Sequence, residues 1–232
     1  MEFHPQKCQI ISITRKKNPI IFNYHMGNHI LEHVSSAKYL GITITEDLRW
    51  NSHINNMCKK GNSTLAFIRR NLRIPSKQIK TNAYKTLVRP TLEYYSCVWD
   101  PYTSTNKDKI EAIQRKSARF VTNRHHNTSS PTAMIEELKW PSLERRREIQ
   151  RLTIMHKMHY NHVASNLGNY LVPSTRPGRL NNSAAFALPI SHKDPHLYSF
   201  FPRTARKWNH LPERTISIID PTAFKTALKK TI

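Results

Sequence analysis

Ten lysine and arginine residues fall in a stretch of the sequence that holds no acidic side chain. Between residues 48 and 92 there is no Asp or Glu, and the cations there are Arg49, Lys59, Lys60, Arg69, Arg70, Arg73, Lys77, Lys80, Lys85 and Arg89. Cations of this kind suit a phosphate backbone, because each contact releases condensed counterions. A merely solvated helix face usually mixes both signs so that residues four apart can pair. The nine cations from Lys59 onward are therefore the predicted nucleic-acid-binding residues.

The charge of the whole chain agrees with a polyanionic partner. Lys and Arg number 37 against 15 Asp and Glu, which gives a net charge of +22 over 232 residues. Such an excess opposes compaction by self-repulsion and favours RNA, DNA or an RNA–DNA hybrid as partner. The run Arg145-Arg146-Arg147 is less telling, because Glu144 and Glu148 flank it and local salt bridges would explain it equally well.

The carboxylates show no catalytic pattern. A two-metal polymerase or nuclease site needs carboxylates that converge on cations about 4 Å apart. Asp47, Glu93 and Asp100 are conceivable members, but no two of them have motif spacing. Phosphate-cradling and metalloprotease motifs are also missing from the sequence. We therefore predict no catalytic residue, no metal and no cofactor, and interpret Asp100 as the cap of a packed corner.

Histidine and cysteine offer no better metal site. His25, His29 and His33 are spaced by four, but their segment has the pattern of turn and strand, where this spacing does not converge. The cysteines Cys8, Cys58 and Cys97 lie far apart without a CxxC pair, which is typical of a reducing compartment. No apolar run approaches the roughly 20 residues of a membrane helix. We expect an intracellular protein, nuclear or cytoplasmic, without a membrane partner; the oligomeric state is open.

The elements that must position these cations change character near residue 50. Residues 8–14, 20–24, 29–34 and 39–45 alternate as short strands, which predicts a small N-terminal antiparallel sheet over residues 1–50. From residue 51 the period is helical. Ser52 is a candidate cap, and Ile54, Cys58, Gly61, Leu65, Ile68 and Leu72 form one stripe. Gly61 on that stripe indicates a close backbone approach.

Breaks and caps divide the remaining helices. After the break at Pro75, Ser76 is expected to cap a helix with Ile79, Ala83 and Leu87 inward, which Pro90 kinks or ends. Helices are also predicted over residues 105–121, 131–138, 143–159, 197–208 and from 221, with a loop around 161–197 that includes the turn at 176–179. Ser130 and Asp220, each followed by a proline, are the expected caps of the helices that begin at 131 and 221. The fold class is α+β, mostly α: a sheet region (1–50), a basic helical bundle (51–125) and a loosely patterned C-terminal helical region (126–232).

Several stretches, in order and spacing, resemble one family across nearly the whole chain. They are residues 4–8, 38–42, 47–50, 53–54, 67–73, 83–94, 98–101, 114–121 and 201–212. Together they are similar to the end of the palm and the segments after it in non-LTR (LINE-type, jockey-like) retrotransposon reverse transcriptases. The resemblance implies that Lys38, Tyr39, Leu40 and Gly41 act as the primer grip. It also implies that the acid-free helices act as the thumb on the template–primer duplex.

The sequence departs from that family where catalysis is concerned. The catalytic Tyr-x-Asp-Asp turn of the family, which holds Mg²⁺ in the full-length enzyme, would precede the matched segment and is not in this chain. The resemblance therefore implies a C-terminal polymerase fragment that is not an enzyme on its own. Two other hypotheses remain open at this point: a helical module for protein interaction or structure, and a transposon relic without function.

Overall fold

The N-terminal strands pair two by two. In the computed structural model, β1 (Gln9–Ile10) runs parallel to β4 (Glu32–His33), while β2 (His25–Met26) is antiparallel to β3 (His29–Ile30) and β5 (Ser36–Tyr39) to β6 (Ile42–Thr45). The small antiparallel sheet expected from the sequence is thus a set of separate two-stranded ladders, one of them parallel. The strand expected at residues 20–24 does not form, and Ile20, Ile21 and Phe22 are exposed.

A tight turn joins β5 to β6. Leu40 and Gly41 both have positive φ, 46° and 85°. Two central residues with positive φ make the turn that suits the right-handed twist of a two-residue hairpin. Tyr39 accordingly pairs with Ile42. The sequence predicted one continuous strand over residues 39–45, which is wrong because alternation alone does not reveal a reversal within it.

Helices make up most of the rest of the chain. They are α1 (Asn51–Asn71), α2 (Lys77–Ala83), a π-helical turn (Tyr84–Val88), α3 (Arg89–Glu93), α4 (Ser96–Trp99), α5 (Ser104–Thr122), α6 (Pro131–Glu137), α7 (Leu143–His159), α8 (Asp194–Leu197), α9 (Phe200–Trp208), α10 (Glu213–Ile216) and α11 (Pro221–Thr231). Two short 3₁₀ turns, Pro5–Lys7 and Leu167–Asn169, complete the elements. The predicted class, α+β and mostly α, is confirmed.

The structure describes residues 4–14, 16–73, 76–126, 128–165, 167–175 and 182–231. The break predicted at Pro75 and the turn predicted at residues 176–179 lie outside these ranges. The chain forms two compact units, Met1–Lys59 and Lys60–Ile232. The boundaries predicted from the sequence, at residues 50 and 125, stay predictions. None of the helices in the described ranges combines the length and apolar character that crossing a bilayer requires.

Side-chain caps begin several helices, and those predicted at Ser76, Ser130 and Asp220 are confirmed. Their acceptors are Ser76 on α2, Ser130 on α6, Ser142 on α7 and Asp220 on α11, each bonded to a backbone N–H three residues on. Such caps satisfy amides that have no partner within the helix. The cap expected from Ser52 is wrong, because α1 begins at Asn51 and places Ser52 inside its first turn.

The apolar stripe of α1 is confirmed. Ile54, Cys58, Leu65 and Ile68 are buried, and Leu72 is half-buried. Gly61 lies on the same stripe, and a Cβ atom there would stand 2.9 Å from Leu92 Cδ2. The close approach inferred at Gly61 is therefore a contact with the side chain of Leu92, which is itself fully buried.

The inward face of the next helical segment differs from the prediction. Ile79 and Leu87 are exposed, at 44% and 53%, and the core side carries Tyr84 and Val88 instead. The two stripes are adjacent on the helix and have the same spacing, so periodicity alone cannot choose between them. The buried stripe is the one that carries the large Tyr84 ring, which stacks on Trp140 with ring centroids 4.5 Å apart. Helical backbone continues through Pro90 into α3, directly after the π-helical turn.

Helix α7 lies at the centre of the larger unit and contacts α4, α5, α9 and α11. Its inward residues belong to one buried cluster, which contains Ile149, Leu152, Met155, Met158, Leu167, Leu171, Phe186, Ala205, Trp208, Leu211, Ile216, Phe224 and Leu228. The region expected to be a loop therefore supplies core residues. It is fixed partly by Asn209, whose carboxamide bonds to the N–H and C=O of Phe186 at 2.9 and 2.7 Å.

Candidate nucleic-acid interface

Five of the predicted binding residues are exposed on α1 and just beyond its end. They are Lys59, Lys60, Arg69, Arg70 and Arg73. Within the part of the chain that the structure describes, no carboxylate lies within ion-pair distance of any of them. Their charges are thus open to a partner, which is the property that phosphate contacts require.

The other four predicted residues have partners or are partly covered. Lys77 pairs with Glu137 at 2.9 Å, and Arg89 approaches Glu93 at 3.9 Å. Lys80 is buried, with its ammonium 5.1 Å from the centre of the Phe120 ring. Lys85 is half-buried. The structure therefore distributes the nine cations between an open surface and internal contacts, a division that the acid-free sequence does not show.

A cleft of about 400 Å³ gathers three of the predicted cations. It is lined by Arg69, Leu72, Arg73, Lys80, Phe120, Asn123 and His125. Asn123 ends α5 with a left-handed backbone, φ 56°, which turns the chain toward the exposed His125. Because two arginines, a lysine and an imidazole meet around one aromatic ring, the cleft has the donors to hold a phosphate.

The hairpin tip carries the residues that resemble a primer grip. Lys38, Tyr39, Leu40 and Gly41 are all exposed, and Tyr39 and Leu40 show 66% and 64% of their surface. Leu40 holds its positive φ without being glycine or asparagine, which places an apolar side chain at the tip at an energetic cost. An exposed aromatic and an exposed leucine beside a lysine suit contact with a nucleotide.

The carboxylates that could have formed a catalytic set are engaged elsewhere. The Thr45 hydroxyl and the Arg49 backbone N–H hold the pKa of Asp47 below its usual value. Glu93 is held by Arg146 through two hydrogen bonds, one of 2.8 Å. Within the described ranges no three His, Cys, Asp or Glu side chains cluster as metal ligands would.

Asp100 is the centre of a buried ion cluster. Its carboxylate accepts a hydrogen bond from Arg147 Nε at 2.6 Å and forms ion pairs with Arg151 and, at 3.3 Å, with Arg203. Arg203 also donates to the Asp100 backbone carbonyl at 2.8 Å. The corner is packed as expected, since Trp99 is fully buried. The capping role predicted for Asp100 is wrong, because the carboxylate ties the corner to α7 and α9 instead.

In the described structure, the arginines at the start of α7 form their salt bridges with residues other than the glutamates beside them in the sequence. Arg146 contacts Glu93 and Arg147 contacts Asp100. The flanking residues pair elsewhere: Glu144 with Lys107 at 2.6 Å and Glu148 with Lys207 at 3.1 Å. The local salt bridges considered from the sequence are therefore replaced by contacts between distant helices, which no local pattern could reveal.

The comparisons with known proteins give a distant relative. A stretch of 127 residues, 53% of this chain, is 24% identical to the probable RNA-directed DNA polymerase from transposon BS of Drosophila melanogaster. The stretch corresponds to 14% of that protein's length. No family model and no solved structure matches the chain. The similarity supports an origin related to reverse transcriptases.

Proposed function

We propose that this chain is a reverse-transcriptase-related fragment that binds the template–primer duplex through basic helices, as the thumb of a LINE-type enzyme does. The observation that carries the proposal is the set of five exposed cations, Lys59 to Arg73, without an ion-pair partner in the described structure. The distant similarity to a transposon polymerase supports an origin related to reverse transcriptases, on which the proposal also depends. Each such cation that meets a phosphate adds affinity by releasing counterions.

The hairpin tip is a second contact surface in this proposal. Tyr39 and Leu40 are exposed at the turn, and Lys38 precedes them on β5. An aromatic ring packs on a sugar or base, and the lysine supplies charge to the adjacent phosphate. The resemblance assigns these residues to the primer grip, which steadies the 3′ end of the primer.

The chain binds without catalysing in this proposal. The Mg²⁺-dependent chemistry of a polymerase needs convergent carboxylates. Here Glu93 and Asp100 are both paired with arginines. In this proposal the chain contributes contact surface to the nucleic acid and takes no cofactor of its own.

Charge reversal on α1 tests the proposal. The triple variant Arg69→Glu, Arg70→Glu and Arg73→Glu is compared with Lys193→Glu, Arg206→Glu and Arg214→Glu, which changes the net charge equally at exposed positions elsewhere. Binding to a labelled RNA–DNA hybrid is followed by anisotropy across a salt series. The α1 variant should lower the slope of log K against log salt by about one for each phosphate that is no longer neutralised, roughly three in all.

The control separates a site from a general charge effect. The control variant should keep most of the wild-type affinity and slope, and circular dichroism should show unchanged helicity in both variants. Equal losses of affinity in the two variants would mean that net charge alone attracts the hybrid. That outcome would sink the thumb assignment and leave a role in protein interaction as the better explanation.

A further inference from the structure

A second groove lies on the larger unit, and most of its lining comes from residues after the acid-free stretch. It encloses about 740 Å³ between the corner at residues 90–97 and the helices α7 and α11. Two tyrosines, Tyr94 and Tyr95, stand on its wall. Its cationic lining consists of Arg145, Arg146, Lys157, Lys225 and Lys229.

The charge of this groove is largely uncompensated. Its one acidic residue, Glu93, is held by Arg146 at 2.8 Å and by Arg89. Arg145 donates to the backbone carbonyl of Lys229 at 2.8 Å, which aligns the start of α7 with the end of α11. Among the described residues no carboxylate pairs with Arg145, Lys157, Lys225 or Lys229. Four cations therefore face the groove with charge available to an anion.

The tyrosines are presented by a fixed and strained corner. Tyr95 has a left-handed backbone, φ 48°, which a bulky residue rarely adopts. Two hydrogen bonds hold the corner: Trp99 Nε1–H donates to the Tyr94 carbonyl at 2.7 Å, and the Val98 N–H to the Tyr95 carbonyl at 3.0 Å. Tyr95 is 49% exposed. The corner thus keeps an exposed ring where a less strained residue would fit more easily.

We propose that this groove binds single-stranded nucleic acid, with a base stacked on Tyr95 and phosphates on Arg145, Lys157, Lys225 and Lys229. An aromatic face beside a row of cations is the arrangement that holds unpaired strands. In a duplex the bases already stack on one another, so an open tyrosine selects unpaired bases. From Arg145 to Lys157 the groove follows α7 for about 18 Å, which accommodates several nucleotides.

The site is independent of the duplex contact proposed above, because it uses different residues and a different part of the nucleic acid. Two probes distinguish the binding of a single strand in this groove from the binding of a duplex on α1. A fluorescein-labelled 12-nucleotide oligo(U) reports single-strand binding, and a blunt RNA–DNA hybrid of the same length reports duplex binding. The α1 charge-reversal variant should weaken the second and spare the first.

The decisive variant is Tyr95→Gly. Glycine accepts positive φ without strain, so this change removes the ring while keeping the corner folded. Affinity for oligo(U) should fall about tenfold, the reduction expected for one stacked base. Tyr95→Trp, which retains a stacking face, should keep wild-type affinity. An unchanged affinity in Tyr95→Gly would overturn the proposal.

Charge reversal on α11 tests the phosphate contacts. Lys225→Glu with Lys229→Glu should reduce oligo(U) binding at least a hundredfold and lower the salt slope, whereas Lys230→Glu, exposed on the same helix but outside the groove, should cost only a few fold. Equal effects of Lys230→Glu, or equal losses of affinity for the hybrid, would make the groove part of a nonspecific surface. Competition by an acidic peptide as strong as that by oligo(U) would indicate a protein-binding site. A nonspecific surface and a protein-binding site would each refute the proposal.

Discussion

Asp100 shows how much one buried charge can matter in this chain. Its carboxylate is 4% exposed and meets Arg147, Arg151 and Arg203, which are at most 15% exposed. Asp100→Asn keeps the shape but leaves the arginine charges without their anion. Because a buried charge that loses its partner is costly, the free energy of unfolding should fall by about 3–5 kcal/mol in urea titrations.

Asp47→Asn is the matched control for that decrease. Asp47 also contacts an arginine, Arg49 at 3.8 Å, but both side chains are more than half exposed. Exposed pairs contribute at most about 1 kcal/mol, and the control should change stability by no more than that. If Asp100→Asn cost as little as Asp47→Asn, the three arginines would not depend on the carboxylate.

Gly61 gives a second prediction, in which the size of the new side chain decides whether the free energy of unfolding falls. A Cβ atom there would stand 2.9 Å from Leu92 Cδ2 and 3.4 Å from Ile113 Cδ1. In Gly61→Ala the gain in helix propensity, about 1 kcal/mol, offsets this crowding, so stability should barely change. In Gly61→Leu overpacking dominates and should cost about 1–3 kcal/mol by urea unfolding.

Ser63→Leu is the control for the Gly61 variants, because Ser63 is exposed two residues along the same helix. It should stay within about 0.5 kcal/mol of wild type. A decrease in stability in Ser63→Leu as large as in Gly61→Leu would show that leucine on α1 is harmful wherever it stands, and the packing argument would fail.

At the scale of elements, the features that the sequence predicted well are those that local chemistry determines. The caps Ser76, Ser130 and Asp220 need only the few residues after them. The stripe of α1 needs only its own period. The choice between the stripes of Ile79 and Tyr84 depends on Trp140, which lies far along the chain, and so no local signal could make it.

For the candidate sites too, the sequence predicted the features that depend on nearby residues and not those that depend on distant ones. The acid-free stretch located the exposed cations of α1, because an absence of acids is visible in the sequence. It could not show that Lys80 lies over Phe120, or that Lys77 meets Glu137 60 residues away. The groove at Tyr95 is not visible in the sequence, since its cations come from helices up to 134 residues further on.

The β5–β6 hairpin carries a prediction at this scale. Leu40 stands where asparagine is preferred, because asparagine tolerates positive φ better. Leu40→Asn should therefore slow amide hydrogen exchange in β5 and β6, stabilising the hairpin by up to about 1 kcal/mol. Gly41→Val should speed that exchange, since a β-branched residue at φ 85° is strained.

The same variants separate stability from binding. If Leu40 serves the proposed primer-grip contact, Leu40→Asn should weaken hybrid binding while the hairpin becomes more stable. Faster exchange in Leu40→Asn than in wild type would mean that contacts of the leucine side chain outweigh its backbone strain.

The molecule as a whole combines a strong positive charge with a core that contains histidine. His156 is fully buried, its Nε2–H donates to the Ile218 carbonyl at 2.6 Å, and its ring stacks on Phe224. Within the described structure Nδ1 has no hydrogen-bond partner. A second proton would therefore place a charge and an unpartnered N–H in the core, and burial lowers the pKa of His156. The pKa of His159 is lowered by burial as well.

These shifts predict that acid destabilises the larger unit. Below about pH 6.5, the usual pKa of histidine, these two histidines bind protons in the unfolded chain but stay neutral in the folded chain. The contribution of these pKa shifts to the free energy of unfolding is fully present above that pH. It is lost as pH falls toward the lowered pKa of the folded state, by up to about 1.4 kcal/mol per pH unit for each histidine. Unfolding followed by tryptophan fluorescence should show a constant midpoint from pH 8 to 7 and a falling one from pH 7 to 5.

His156→Gln identifies the group responsible. Glutamine does not titrate and can still donate to the Ile218 carbonyl, so the variant should lose less stability between pH 7 and pH 5 than the wild type does. His125→Gln, at an exposed position, should follow the wild-type curve. Since lower pH also adds positive charge to a chain that already carries +22, the series is repeated at high salt, where screening removes most of the surface repulsion. A slope that disappears at high salt in every variant would assign the acid sensitivity to the surface charge, whereas a slope that persists and depends on residue 156 would assign it to the buried ring.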